Sequence, residues 1–192
     1  MPSKLFTLEN LVITQTRSFL NDEFMITDER GVPVGTILQS QSLRDAFFNG
    51  SRSLEVATTD DQGNPQQHVL TIKDPPNFGW DSYEVFLPGI EMPLATITQK
   101  FSFFKLNLSL TMENFPDVAI EGSIWYWNLR ITSQGHPVAI VDNQWKGFGS
   151  FLSGKNTYHL AIAEGLNEHQ HAAILGATMA MDMLRTKSRQ SD

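Results

Sequence analysis

The sequence predicts a mainly β fold: an antiparallel barrel of roughly 12 strands enclosing a buried C-terminal α-helix. Three observations carry this reading. Short apolar/polar alternations fill most of the chain, turn residues punctuate them at even spacing, and the series ends in a helix that is apolar on every side. The 192 residues suit one domain with a sizeable core, and 41% hydrophobic against 18% charged residues exclude a disordered or low-complexity chain.

The first hairpin falls within residues 22–39. Phe24 and Ile26 alternate with polar neighbours, Glu29-Arg30-Gly31 turns the chain, and Val32, Val34, Thr36 and Leu38 return. Residues 42–48 read as a short helical segment. A second hairpin runs from Leu54, Val56 and Thr58 through Asp60-Asp61-Gln62-Gly63-Asn64-Pro65 to His68, Leu70 and Ile72, where the Asp/Gly/Asn/Pro cluster forces reversal. After a loop at 75–79, Tyr83, Val85 and Leu87 form the next strand. Ala95, Ile97, Phe101 and Phe103 are out of phase with Phe104, Leu106, Leu108 and Leu110, so a bulge, bend or reversal falls near Phe103-Phe104. The phase changes again between Val118, Ile120 and Ile124 and the set Trp125, Trp127, Leu129 and Ile131. Ser133-Gln134-Gly135-His136-Pro137 then turns the chain into residues 138–141, and 145–152 and 158–162 supply the last strands.

Residues 168–185 abandon the two-residue period. Ala172, Ile174, Leu175, Ala177, Thr178, Met179 and Met181 cover every side of a helix, so the helix must be enclosed. Its apolar length, roughly ten to thirteen residues, suits a core helix and is too short for a membrane span. Asn167 with Glu168 offers its start; Asp182, Arg185 and Lys187 mark the return to water. The chain is thus expected to be a single domain over 1–192, with a core spanning about 10–185 and a short basic tail at 186–192.

A formal net charge of −7 argues against nucleic-acid binding, which needs a basic face. The absence of cysteine excludes disulfides, thiolate metal sites and cysteine nucleophiles. No apolar run is long enough for a transmembrane segment and no signal peptide is evident, so a cytoplasmic location, peripheral to a membrane at most, is expected. Residues 149–156 nearly match a phosphate-cradling loop, but Asn156 replaces the metal-binding hydroxyl and the segment leads into a strand instead of a helix. His169 and His171, two apart on a helix, point about 200° apart and with His159 make no chelate. Asp60-Asp61 and Glu113 with Asp117 are carboxylate pairs in turn-like segments, where acids are ordinary. Trp125-Tyr126-Trp127 and Phe47-Phe48 are assigned to core packing. Neither a metal nor a cofactor is expected.

Three stretches resemble the LURP-one-related (LOR) family, which belongs with the tubby C-terminal and phospholipid scramblase-like superfamily. Residues 22–34 are similar to its opening hairpin, in which a strand ends in Asp, turns at Gly and returns through Val. Residues 129–141, with Gly135-His136-Pro137-Val138-Ala139, look like its late hairpin. Tyr158-His159-Leu160-Ala161-Ile162, leading into residues 172–184, is similar to its last strand and central helix. The resemblance implies a roughly twelve-stranded barrel around the helix, in agreement with the periodicity. It also implies lipid-related roles, since tubby domains bind phosphoinositides through basic side chains and scramblases are tied to calcium and phospholipid movement. The chain departs from the scramblase pattern in lacking a cysteine-rich segment, a Pro-rich arm and a run of acidic calcium ligands at 163–171.

The expected function is therefore a non-catalytic LOR/tubby-like domain, associated with phosphoinositide or another anionic phospholipid, or with a protein partner. Scramblase-like lipid movement is the first alternative, and a small-molecule enzyme using Asp60, Asp61, Glu113 and Asp117 the second. If phosphate is recognised, Lys155 and the cluster Arg185, Lys187 and Arg189 are the residues expected to bind it.

Overall fold

In a computed structural model, described for residues 3–17, 23–39, 53–76, 81–100, 106–123, 128–142 and 157–190, the chain forms a closed barrel of 12 strands, every neighbouring pair antiparallel. The strands are β1 (Asn10–Arg17), β2 (Glu23–Thr27), β3 (Pro33–Gln39), β4 (Ser53–Thr59), β5 (Pro65–Lys73), β6 (Ser82–Phe86), β7 (Ala95–Gln99), β8 (Leu106–Met112), β9 (Phe115–Ser123), β10 (Asn128–Ser133), β11 (His136–Asp142) and β12 (Thr157–Ile162). Each pairs with its sequence neighbour, and β1 closes the ring against β12 through Leu11↔Leu160 and Ile13↔Tyr158. A short 3-10 turn, Lys4–Phe6, precedes β1, and one helix, α1 (Glu168–Gln190), follows β12.

Period-two alternation sets the wall. Leu54 opposes Ile72 and Val56 opposes Leu70, all buried, while Glu55 between them is exposed. Tyr83, Val85, Ile97, Leu108 and Leu110 repeat the pattern on β6, β7 and β8. At the β10–β11 hairpin Ser133 pairs with His136, leaving Gln134 and Gly135 as a two-residue loop with φ of 50° and 79°; positive φ at both positions is what a twisted two-residue hairpin requires. In the β4–β5 turn the Asp60 carboxylate accepts bonds from the Gln62 and Asn64 amides at 2.9 and 2.8 Å.

The helix runs inside this wall. Every residue of 171–185 is buried, including all seven predicted to line the enclosed helix. Those fifteen residues span about 22 Å of axis, comparable with a strand of seven residues. Burial of each aliphatic side chain contributes about 1.5–3 kcal/mol, so the helix is held by its surroundings and not by propensity. Thr178, the polar member of the set, donates to the Ile174 carbonyl at 2.9 Å and leaves no loose hydroxyl in the core. Tyr158, on β12, meets Met179 from the wall and packs edge-on against Phe24. The start is a reciprocal cap: the Gln170 amide donates to Asn167 Oδ1 at 3.0 Å, and the Asn167 amide donates to Gln170 Oε1 at 2.9 Å.

Three readings change. The N-terminal strand β1 and its preceding turn were not expected; Leu5, Phe6, Leu11 and Ile13 are all core residues. On β3 burial is continuous from Val34 to Ile37 where the sequence suggests alternation; Gly35 and Ile37 stand opposite Ile26 and Phe24, and the register shifts at Ile26/Thr27. Third, the expected tail at 186–192 is helical as far as Gln190: Ser188 donates to the Leu184 carbonyl, and Lys187 pairs with Asp81 and lies 3.7 Å from Asp74. The helical segment at 42–48, the strand at 145–152, the Phe103-Phe104 reversal and both aromatic clusters lie outside the described residues. β7 and β8 pair antiparallel, and β11 pairs directly with β12.

Gly176 shows how closely helix and wall approach. A Cβ there would stand 2.6 and 2.9 Å from the two Val85 methyl groups. Alanine at this position gains about 1 kcal/mol of helix propensity but overpacks the core by about 1–3 kcal/mol, so Gly176→Ala is expected to be net destabilising. Adding Val85→Ala should make the double variant more stable than the sum of the singles by about 1 kcal/mol in urea denaturation; simple additivity would place the steric conflict elsewhere.

Candidate functional site

An up-and-down barrel has two distinct ends. The helix enters at one, where Gln170 Nε2 reaches the Asn114 carbonyl in the β8–β9 turn. It leaves at the other, where Lys187 meets Asp74 and Asp81 in the β5–β6 connection. Alternation of strand direction then puts the β2–β3, β4–β5, β6–β7, β8–β9 and β10–β11 turns at the entry end. The internal stretches outside the described residues are all flanked by strand ends at the exit end.

The barrel centre is filled by α1, so sites available to a ligand lie on the rims and the outer wall. The entry rim is acidic. Asp28 and Glu29 lie in the β2–β3 turn, Asp60 and Asp61 in β4–β5, Glu91 in β6–β7, Glu113 in β8–β9 with Asp117 just beyond, Glu164 and Glu168 at the helix entry, and Glu9 before β1. Only Lys4 and Arg30 oppose these ten carboxylates at that end, so the rim holds more negative charge than the net −7 of the entire chain. The rest of the sequence is within one charge of neutral. Hydrogen bonds from Asn64 and the turn amides hold the Asp60 carboxyl below the usual carboxylate range.

A cleft of about 410 Å³ opens on this rim between the Lys4–Phe6 turn and the β2–β3 turn. Lys4, Glu9, Glu29 and Arg30 give it charges of both signs, and Asn10 adds a neutral amide. Its neighbour Asp28 is engaged locally, accepting the Arg30 and Val32 amides at 2.9 Å each. Behind Leu8 and Glu9, also in the lining, stands His171 in the first turn of α1, 5% exposed. Its ring bonds the Leu8 backbone, while Nδ1 has no hydrogen-bond partner. Burial pushes its pKa below the ordinary histidine value, against the opposing pull of the Leu8 bond, Glu9 and Glu168. His159 is lowered by the same cause, with Glu29 and Asp142 opposing.

Of the predicted anion-binding residues, the side chains of Arg185 and Lys187 are described, and these two do not share one open face. Arg185 is buried, 8% exposed, with interactions of its own. Lys187 faces the opposite side of the helix and is neutralised by Asp81 and Asp74, which raises its pKa, the Asp81 hydrogen bond being the main cause. Lys155 and the Arg189 side chain lie outside the described residues. Asp182, expected to reach either solvent or a donor at the barrel rim, is buried, 7% exposed, and has a partner. The three histidines stand apart: His169 is exposed, His171 faces inward, and His159 alternates with the inward Tyr158 and Leu160. Among the described residues no group of three metal-ligating side chains converges. No helix among them is long and apolar enough to cross a membrane. The acidic rim was missed as a unit because its members come from separate turns, none unusual alone.

Two tests follow. A buried histidine with a depressed pKa binds fewer protons folded than unfolded, so its contribution is intact above the unfolded value near 6.5 and is lost as pH falls from there toward the folded pKa. Melting temperature should drop between about pH 7.5 and 5.5, and His171→Gln should flatten that slope; an unchanged slope would assign the loss to other groups. Separately, Lys187→Met is expected to lower stability by about 0.5–1 kcal/mol at low salt and by less at high salt, as suits a half-exposed ion pair. Equal losses at both salts would point to lost packing.

Comparison with curated proteins and with solved structures finds no match. The family model for LURP-one-related domains matches residues 9–182, which cover β1 to the buried part of α1. With the match spanning nearly the whole barrel and its central helix, the chain belongs to the LURP-one-related (LOR) family.

Proposed function

We propose that this protein is a non-catalytic interaction module that binds a protein partner through the outside of its barrel. The observation that carries this reading is the occupied interior: α1 fills the lumen from His171 to Arg185, leaving the functional surface on the rims and wall. Two features support it. The described cations expected to meet phosphate are committed to the fold, and the entry rim combines dense negative charge with exposed apolar side chains at Ile90 and Met92. The carboxylates of the enzyme alternative contribute to that rim, and Asp60 is engaged in holding its own turn.

A second reading, association with anionic phospholipid, draws on charge polarity. Arg185, Lys187 and Arg189 all belong to the helix end opposite the acidic rim, so an anionic surface would meet the exit end first. Co-sedimentation with neutral and anionic vesicles, including phosphoinositide, at low and near-physiological salt separates the two readings. The protein-interaction reading expects the full chain to stay in the supernatant at near-physiological salt. Salt-sensitive sedimentation with anionic vesicles, reduced by Lys187→Glu, would replace it with the lipid reading.

A further inference from the structure

We infer that the entry rim docks a basic, amphipathic segment of a partner protein, with the β6–β7 turn as its apolar anchor. This rests on the protein-interaction reading and names the partner's chemistry. The turn reads Leu87-Pro88-Gly89-Ile90-Glu91-Met92-Pro93-Leu94. Its shape is pinned: the Ile90 amide donates to the Leu87 carbonyl at 3.2 Å, the Leu94 amide donates to the Val85 carbonyl at 2.7 Å, and Leu87 and Leu94 pack against the core. Ile90 and Met92 are left 52% and 77% exposed. Among the described residues only one other large apolar side chain is exposed, Ile140 on the barrel wall. Scattered exposed apolar residues are ordinary; two on one short, proline-flanked turn mark a contact surface.

Charge selects the occupant. Around the ring this turn stands between the β4–β5 turn, with Asp60 and Asp61, and the β8–β9 turn, with Glu113; Glu91 lies between the two apolar residues. None of the three turns contains a lysine or arginine. Anionic lipid and nucleic acid are repelled from such a rim, whereas a Lys/Arg-rich segment is drawn to it and oriented before contact. Apolar side chains on that segment would then cover Ile90 and Met92, and the unbranched thioether of Met92 adapts to whichever shape arrives.

The test uses the full chain and a labelled amphipathic Lys/Leu peptide of about 16 residues, read by fluorescence anisotropy, with Lys/Ser and Glu/Leu peptides of equal length for comparison. The Lys/Leu peptide should bind, weaken as salt is raised, and exceed the Lys/Ser peptide by about tenfold or more. The double variant Ile90→Ser/Met92→Ser retains every carboxylate and the pinned backbone, so it should melt like the parent yet bind the Lys/Leu peptide about tenfold more weakly. Glu91→Lys with Glu113→Lys should weaken it to a similar degree. Unchanged affinity in the Ser variant, or no binding by the Lys/Leu peptide, overturns the inference. Crosslinking in host extract separates its failure from that of the broader reading: a host protein captured equally by parent and Ser variant ends this inference while leaving the interaction module standing.

Discussion

Twelve strands enclose more space than their own inward side chains fill, and the apolar helix is what occupies it. Everything else in the structure answers to that constraint. Ala172, Ala173, Ala177 and Ala180 keep the helix narrow, Gly176 lets β6 approach to within methyl contact, and the larger Ile174, Leu175, Met179 and Met181 fill the remaining directions. The wall supplies Tyr83, Tyr158 and Phe24, among the largest fully buried side chains, on its inner face. Neither half is stable alone in principle: the helix exposes apolar residues on every side, and the barrel without it encloses a void.

With the helix at the centre, the two ends and the outer wall are the surfaces left open, and the two ends differ in charge. At the entry end lie the ten carboxylates, six of them in hairpin turns, and an exposed apolar turn tip. At the exit end the helix is tied to the β5–β6 connection by Lys187 between Asp74 and Asp81. This separation gives the acidic rim and the Lys187 end different electrostatic character.

Much of the fold was legible in the residues because a one-sided sheet and an all-round apolar helix leave opposite periodic signatures. The hairpins over Phe24–Ile37 and Leu54–Ile72 carry turn residues that dictate their reversals, and the cap at Asn167 and Gln170 follows ordinary helix chemistry. What was not legible has local reasons. The register shift at Ile26/Thr27 leaves Val34 to Ile37 all buried, so β3 loses the alternation its residues suggest. Leu11 and Ile13 of β1 resemble any short apolar run until β12 is seen to pair with them.

The amino-acid sequence by itself determined the class of the protein: strand after strand with one wet face, a terminal helix with none, no cysteine, and an acidic charge balance. These are local and compositional properties, and each is readable within a few residues or by counting. Only the tertiary structure decided what the charged residues do. Lys187 and Arg185 read as a free cationic tail until the helix carried them to Asp74, Asp81 and the barrel's interior, and acids scattered over 160 positions became one rim once the barrel closed. Such groupings depend on contacts between residues far apart in the chain, and sequence order does not encode them until the strands have paired.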